Sequence, residues 1–353
     1  MSVTIHERPG VYSSYDALSV IRGGKVGKTV GVAAAATAGT PNEAVLLNSF
    51  REGQAEFGAD GETAGMEALL RVLYENGAGS VQAVRVDTSG ESADYASAFA
   101  VLSELDDVDV IVCDSTELAV QQALRGSVEA ASALQRERIA VTGVCGTRVS
   151  EMVEQAAALN SERVVLTATN MAGEHDESAA LVAAAVAAVI AGNDDPSAPI
   201  HGTPLQGVAG LAGRFTDTEI DWMVRGGVTP VEAMGGIVSP VRAVTTRTTT
   251  GGAGDATWRE LTTILVVDDV IPTIRDSLRA RFSRSKNTAQ SRGAIRSQVI
   301  LELEDKLANE RIDSYGEVKV SAVENDPTVC LVEFSFAVAH GLTRIYLTAH
   351  ITV

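Results

Sequence analysis

The sequence predicts an α/β protein with a central parallel sheet, a smaller C-terminal α+β unit and extended β-arms at both termini. Between residues 93 and 191, short apolar segments alternate with longer helical patterns, as in consecutive βαβ units. Both terminal segments alternate apolar and polar residues without enough apolar side chains to form a core of their own. The 353 residues are 45% hydrophobic and 21% charged, which is typical of a folded globular chain and excludes disorder as its main state.

Changes in pattern divide the chain into five predicted segments. They are an N-terminal extended arm at 1–28, an N-terminal part of the core at 29–90, a central α/β domain at 91–250, a C-terminal α+β domain at 251–343 and a strand arm at 344–353. Residues 251–254, Gly-Gly-Ala-Gly, form a predicted flexible hinge or turn at the start of the C-terminal domain.

Apolar periodicity predicts the elements of the core in chain order. Predicted strands are 28–38, 44–49, 81–86, 108–113, 139–144 and 163–169, and predicted helices are 64–74, 93–105, 117–134, 150–159 and 177–191. Ser150 is the predicted N-cap of its helix, because serine accepts a hydrogen bond from the first turn. A short helix at 216–225, with Thr216 near its cap, precedes predicted strands at 228–234, 237–238 and 242–246.

The C-terminal hundred residues mix helices and strands. Residues 262–274 are apolar, and their pattern leaves helix and strand both open. Helical spacing is clear at 275–282 and at 293–309, and strands are predicted at 315–323, 330–339 and 345–353.

Charge and cysteine content restrict the classes of function. Twenty-eight basic and 46 acidic residues give a net charge of −18, which disfavours general binding to nucleic acid or anionic lipid. Cys113, Cys145 and Cys330 lie far apart in apolar segments, so we expect reduced core thiols and synthesis in a reducing compartment. No signal-peptide pattern opens the chain, and the most apolar segment, 179–191, is too short to span a bilayer.

Candidate catalytic and nucleotide-binding motifs are incomplete. Residues 22–29 end in the Gly-Lys-Thr of a phosphate loop, but Arg22 replaces the opening glycine and a strand pattern follows. Cys113 ends a predicted strand without a histidine in a pairing context, and His175 lies in a polar turn that either binds a metal or begins a solvated helix. These motifs leave an enzyme possible but unsupported, and we predict no catalytic residue, no metal site, no cofactor and no enzymatic activity.

A basic cluster between residues 275 and 296 opposes the charge of the whole chain. It contains seven arginines and lysines and a single acid, Asp276. The cluster either is a solvated face or binds an acidic partner, which is protein or nucleic acid. Phe282 is its only aromatic residue, which disfavours binding to single-stranded nucleic acid. The candidate contact residues are Arg275, Arg279, Arg281 and Arg284.

The predicted arm strands are the second candidate contact. Their apolar positions are Val3, Ile5, Val11, Tyr12, Ile345, Leu347, Ala349 and Ile351. An unpaired strand either folds back onto its own core or adds to the sheet of a neighbouring subunit.

Short motifs in a fixed order resemble the tail sheath proteins of contractile phage tails and contractile injection systems. The motifs run from Arg-Pro-Gly-Val-Tyr to the end of the central domain, and the resemblance covers nearly the full chain. They are residues 7–12, 31–33, 39–42, 47–50, 57–58, 74–79, 84–86, 202–205 and 208–211.

The resemblance implies a subtilisin-like central domain without protease activity and a C-terminal domain that faces an inner tube. It also implies arms that pair with neighbouring subunits, linking hexameric rings into a helical sheath, and no bound cofactor. The implied partners are other copies of the chain, the tube protein, the baseplate and the tail terminator, without membrane insertion or direct nucleic-acid binding. The implied location is the host cytoplasm during assembly, then a phage tail or a released contractile particle.

Two other functions remain as alternatives. One is a soluble α/β enzyme or nucleotide-binding protein that uses the sheet at 93–191. The other is a DNA-binding accessory protein that uses residues 275–296, which the net charge of −18 disfavours.

Overall fold

A computed structural model describes residues 27–59, 65–89, 94–146, 148–169, 176–208, 214–323 and 326–342. Within these ranges the strands are β1 Thr29–Ala34, β2 Ala44–Leu47, β3 Ser80–Arg85, β4 Val108–Cys113, β5 Ile139–Cys145, β6 Val164–Thr169, β7 Val228–Met234, β8 Ile237–Pro240, β9 Thr249–Thr250, β10 Ala253–Gly254, β11 Ile312–Tyr315, β12 Lys319–Val323, β13 Asp326–Glu333 and β14 Phe336–Val338. The helices are α1 Phe50–Phe57, α2 Met66–Glu75, α3 Tyr95–Glu104, α4 Leu118–Ala133, α5 Val149–Leu159, α6 Asp176–Gly192, α7 Asp217–Arg225, α8 Leu261–Phe282 and α9 Ala289–Ala308.

One mostly parallel sheet organises the larger part of the described chain. Its strand order is β2-β3-β1-β4-β5-β6-β7-β8. The two outer strands, β2 and β8, are antiparallel to their neighbours, and the strands between them are parallel. Residues 29–90 and 91–250 therefore build a single sheet, because β1 lies between β3 and β4.

Helices cover both faces of this sheet, as a parallel sheet requires. The alanine-rich helix α6 packs on one face with α2, and its residues 182–188 are completely buried. Helices α3, α4, α5 and α7 form the second core on the opposite face. Helix α6 approaches β5 so closely that a methyl group on Gly143 would lie 2.1 Å from the carbonyl oxygen of Ala179.

Helix α8 joins the sheet to the C-terminal unit. Leu261, Ile264 and Leu265 in its first turns belong to the core of the sheet. Further along, Val266, Val270 and Ile274 pack with α9 in a separate third core. Residues 262–274 have an ambiguous pattern because their apolar side chains contact two different cores. The structure shows that they belong to one 22-residue helix.

The predicted α/β fold class is confirmed, and most predicted elements of the sheet lie within a few residues of their observed bounds. Thr216 is the N-cap of α7 and forms a full capping box with Glu219. Ser150, in contrast, lies inside α5, whose N-cap is Arg148. Helix α1 was not predicted, although Ser49 and Glu52 carry its capping pattern: the Ser49 hydroxyl accepts a hydrogen bond from the Glu52 amide.

Three predicted strands differ from the structure. Residues 242–246 form an irregular segment with a single bridge from Val244 to Glu260, instead of a strand. Residues 315–323 and 330–339 are each interrupted, because β11 pairs with β14 while β12 pairs with β13. The chain has to change partners between Tyr315 and Lys319, and an unbroken strand would prevent this change.

Candidate assembly surfaces

The candidate nucleophile has an environment that suppresses its reactivity. Cys113 ends β4 and is buried, and this burial raises the pKa of its thiol to about 12. A thiol rather than a thiolate is therefore present near neutral pH, and the thiolate is the nucleophilic form. No cluster of metal-ligating side chains occurs in the described ranges, and His175 lies outside them.

The near-miss phosphate motif continues directly into a strand. Thr29 begins β1, as predicted, so these residues do not place a helix N-terminus after the glycines. The amide of Lys28 donates to the carbonyl of Ala191, and burial lowers the pKa of the Lys28 amine. Lys28 thus belongs to the packing between the sheet and its neighbouring helix.

Ion pairs connect α8 and its surroundings to the base of the sheet. The Arg163 guanidinium donates two hydrogen bonds to Asp268, at 2.8 and 3.0 Å, and both side chains are about 85% buried. Burial raises the pKa of Asp268, and the Arg163 charge opposes that shift. Beside this pair, Asp269 accepts from Lys306 at 2.7 Å and from Arg311 at 2.8 Å. The Arg163–Asp268 pair joins the sheet to α8, whereas the pairs of Asp269 join α8 to α9 and to the residue before β11.

The predicted basic contact residues fall into two groups. Arg275 is bound to Glu137 of the loop before β5, and both side chains are mostly buried. Arg279 is exposed and lies 3.5 Å from Asp276, while Arg281 and Arg284 are exposed on the C-terminal turn of α8 and the loop that follows. Of the four predicted contact residues, Arg279, Arg281 and Arg284 are therefore the ones open to a partner.

Family comparisons match both units of this architecture. The model described as "Phage tail sheath protein central domain" matches residues 89–246. The model described as "Phage tail sheath C-terminal domain" matches residues 253–352.

The chain belongs to the phage tail sheath family.

A curated relative and two solved structures agree with this sheath assignment. The tail sheath protein of Bacillus phage SP01 is 26% identical over 261 residues, which are 71% of this chain and 44% of that protein. This sheath-family chain thus spans less than half the length of the curated relative. Chains in structures of the anti-feeding prophage share its fold: one from the baseplate has a TM-score of 0.72 with 15% identity, covering 99% of this chain and 100% of that one. One from the contracted helical sheath has a TM-score of 0.70 with 15% identity, covering 98% and 99%.

In this sheath-family chain, the C-terminal unit presents a two-stranded ribbon with a large exposed surface. Strand β13 pairs with β12, and the side chains of Val329 and Leu331 on β13 are 43% and 46% exposed. Apolar side chains on a short ribbon are typical of a surface that accepts a further strand. The arm residues predicted to supply such strands, Val3, Ile5, Val11, Tyr12, Ile345, Leu347, Ala349 and Ile351, lie outside the described residues.

The residues that hold the two units of this sheath protein together carry no signal in the sequence. Glu137 and Asp268 carry no local pattern that marks them as partners, because their arginines lie 138 and 105 positions away, respectively. The exposed turn between β7 and β8 had a usable signal, the Gly235-Gly236 pair between apolar residues.

No helix within the described residues has the length and apolarity to cross a membrane.

Proposed function

We propose that the protein is a structural sheath subunit that polymerises around an inner tube and drives it by contraction. The observation that carries the proposal is the match of both sheath-domain models, in order, to the sheet core and the C-terminal unit. Each subunit moves as a rigid body, and the contracted lattice is stabilised by better contacts, so the movement requires no nucleotide. Family membership does not favour the alternative of an α/β enzyme.

The proposal extends to the partners and the location. Hexameric rings stack into a helix, the baseplate triggers the change and a terminator closes the far end. Assembly takes place in the host cytoplasm, and the finished particle is a phage tail or a released contractile device. The two units have different roles in this proposal. Residues 251–343 face the tube, and residues 29–250 form the sheath wall.

Charge reversal at the exposed basic residues is expected to abolish binding to the tube. The double variant Arg279→Glu/Arg281→Glu removes two positive charges and adds two negative ones on the surface assigned to an acidic tube. We expect at least a tenfold loss of co-sedimentation with tube protein, and weaker wild-type binding as salt rises.

The matched control is Arg51→Glu/Arg71→Glu, which makes the same change in net charge at exposed positions on α1 and α2. It should bind the tube as the wild type does. Equal binding by all three proteins would remove the basic residues from the tube contact.

Removal of the N-terminal arm is expected to prevent formation of long polymers. Deleting residues 1–20 removes Val3, Ile5, Val11 and Tyr12, the predicted strand positions. Backbone hydrogen bonds from an added strand supply affinity between subunits, so their loss should leave short assemblies in negative-stain electron microscopy.

The deletion variant should keep the melting temperature of the wild-type core, because every strand of the described sheet lies at or after Thr29. Polymers of wild-type length from this variant would contradict the role of the N-terminal arm.

A further inference from the structure

The turn between β7 and β8 projects apolar side chains into solvent. Met234 and Ile237 are 60% and 53% exposed at the end of the hairpin. Gly235 and Gly236 between them have φ values of +61° and +85°, the positive values of a two-residue hairpin turn. A methyl group built on either glycine would have no atom within 4 Å, so the turn stands clear of the rest of the described chain.

A cavity of about 200 Å³ lies at the opposite end of the same hairpin. Its apolar wall comes from Ile200, Leu261 and Leu265, which are 4%, 2% and 5% exposed. His201 and His340 line it as polar neighbours, and the Arg242 guanidinium there is paired with Glu260. An apolar concave site with a few polar groups is typical of a binding pocket.

The turn and the cavity belong to different ends of the sheet. Strand β8 begins at Ile237 and ends at Pro240, and the cavity begins two residues later at Arg242. At about 3.3 Å per residue, roughly 16 Å of extended chain separates them. The turn therefore does not reach the cavity of its own chain, and a contact between them requires two copies. A contact between two different surfaces of identical subunits repeats head to tail. It produces a closed ring when the rotation between copies closes and an open helical polymer when it does not.

Charge complementarity accompanies the apolar match. Arg214 is exposed beside the turn, and its guanidinium donates to the carbonyl of Ala233 at 3.4 Å. A recess that adjoins the cavity shares His201 and Arg242 with it and is lined by Asp217 and Asp221 of α7. A copy that inserts its turn into the cavity brings its positive side chain toward these two carboxylates.

We infer that the Met234–Ile237 turn of one subunit docks into the cavity lined by Ile200, Leu261 and Leu265 of a second copy. The inference rests on the proposed polymerisation and assigns residues to one of its repeating contacts. The turn supplies the apolar insert, and Arg214 with Asp217 and Asp221 sets its orientation. The contact is heterologous, so every subunit uses both elements.

Two variants, each lacking one element, test this contact. Ile237→Asp places a charge on the turn, and Thr262→Trp fills the cavity mouth from α8. Each variant should reduce the polymer mass measured by sedimentation at least tenfold. An equimolar mixture of the two variants should form only dimers, because the intact turn of one variant can dock into the intact cavity of the other and no further contact remains. Leu134→Asp, which makes the same kind of change at a 71% exposed leucine, should polymerise normally. Normal polymers from Ile237→Asp, with an unchanged melting temperature, would overturn the inference while leaving the proposed function intact.

A cross-linking measurement is independent of polymer length. With Cys330 replaced by serine, Met234→Cys/Thr262→Cys should form a ladder of disulfide-linked oligomers under mild oxidation. The control pair Met234→Cys/Gly126→Cys places the second thiol at an exposed site on α4 and should form only background dimers. A missing ladder would overturn the docking contact. A wild-type protein that forms no polymer would separately contradict the proposed function.

Discussion

Replacing Gly143 by alanine is expected to lower the free energy of unfolding by more than about 3 kcal/mol, because overpacking of this site requires movement of the backbone. The added methyl group would lie 2.1 Å from the carbonyl oxygen and 2.4 Å from the carbonyl carbon of Ala179. Neither atom belongs to a side chain that can rotate away. Helix α6 would have to move from β5, and its buried alanines would lose their contacts on that face of the sheet.

The same substitution at Gly126 provides a control with the opposite expected sign. Gly126 is an exposed position inside α4, where an added methyl group meets no atom within 4 Å. Alanine should stabilise the protein there by about 0.5–1 kcal/mol, because glycine is a poor helix former. Urea denaturation of both variants measures the difference. A stable Gly143→Ala protein would show that α6 does not lie as close to β5 as the structure has it.

Removing the positive partner of Asp268 is expected to have the second large effect. Arg163→Met leaves a buried carboxylate without its two hydrogen bonds and without its countercharge. Breaking one side of a buried pair should destabilise the fold by about 3 kcal/mol. The double variant Arg163→Met/Asp268→Leu should recover most of this loss, since it leaves no unpaired charge.

The loss in Arg163→Met should also depend on pH. Burial already raises the pKa of Asp268, and removal of the Arg163 charge would raise it further. The folded state then holds a proton that the unfolded state releases above about pH 4, so stability decreases as pH rises through the raised folded pKa. The deficit relative to wild type should therefore be smaller in acid. Glu317→Ala, which removes a 69% exposed partner of Lys319, should change stability by less than about 0.5 kcal/mol at any pH.

These ion pairs bear on the proposed mechanism because they connect the C-terminal unit, which we propose faces the tube, to the central sheet. If contraction moves each subunit as a rigid body, force on the C-terminal unit must pass to the sheet without separating the two. The Arg163–Asp268 and Arg275–Glu137 pairs and the shared helix α8 provide that connection. Arg275 thus serves this junction, while the exposed Arg279, Arg281 and Arg284 are the residues that we propose contact the tube.

Local sequence patterns were sufficient to predict the order and type of most elements in the sheet. Buried parallel strands consist of continuous apolar residues, and in the helices between them apolar residues recur every three to four positions. The strands and helices of 93–191 could therefore be assigned from local sequence. Thr216 was also predictable, because a capping box involves residues three positions apart. The family resemblance likewise depended on short motifs that keep their order along the chain.

Tertiary structure alone decided how these elements are joined. The secondary structure of residues 262–274 could not be predicted, because these residues pack into two cores that meet along α8. No local pattern distinguishes a helix shared by two cores from a buried strand. The pairing of β11 with β14, and of Asp268 with Arg163, brings together residues distant in sequence. The exposed turn and the cavity at opposite ends of one hairpin are likewise properties of three-dimensional placement. Local propensity acts over a few residues, whereas partners in a sheet, an ion pair or a cavity are selected by the packing of the whole chain.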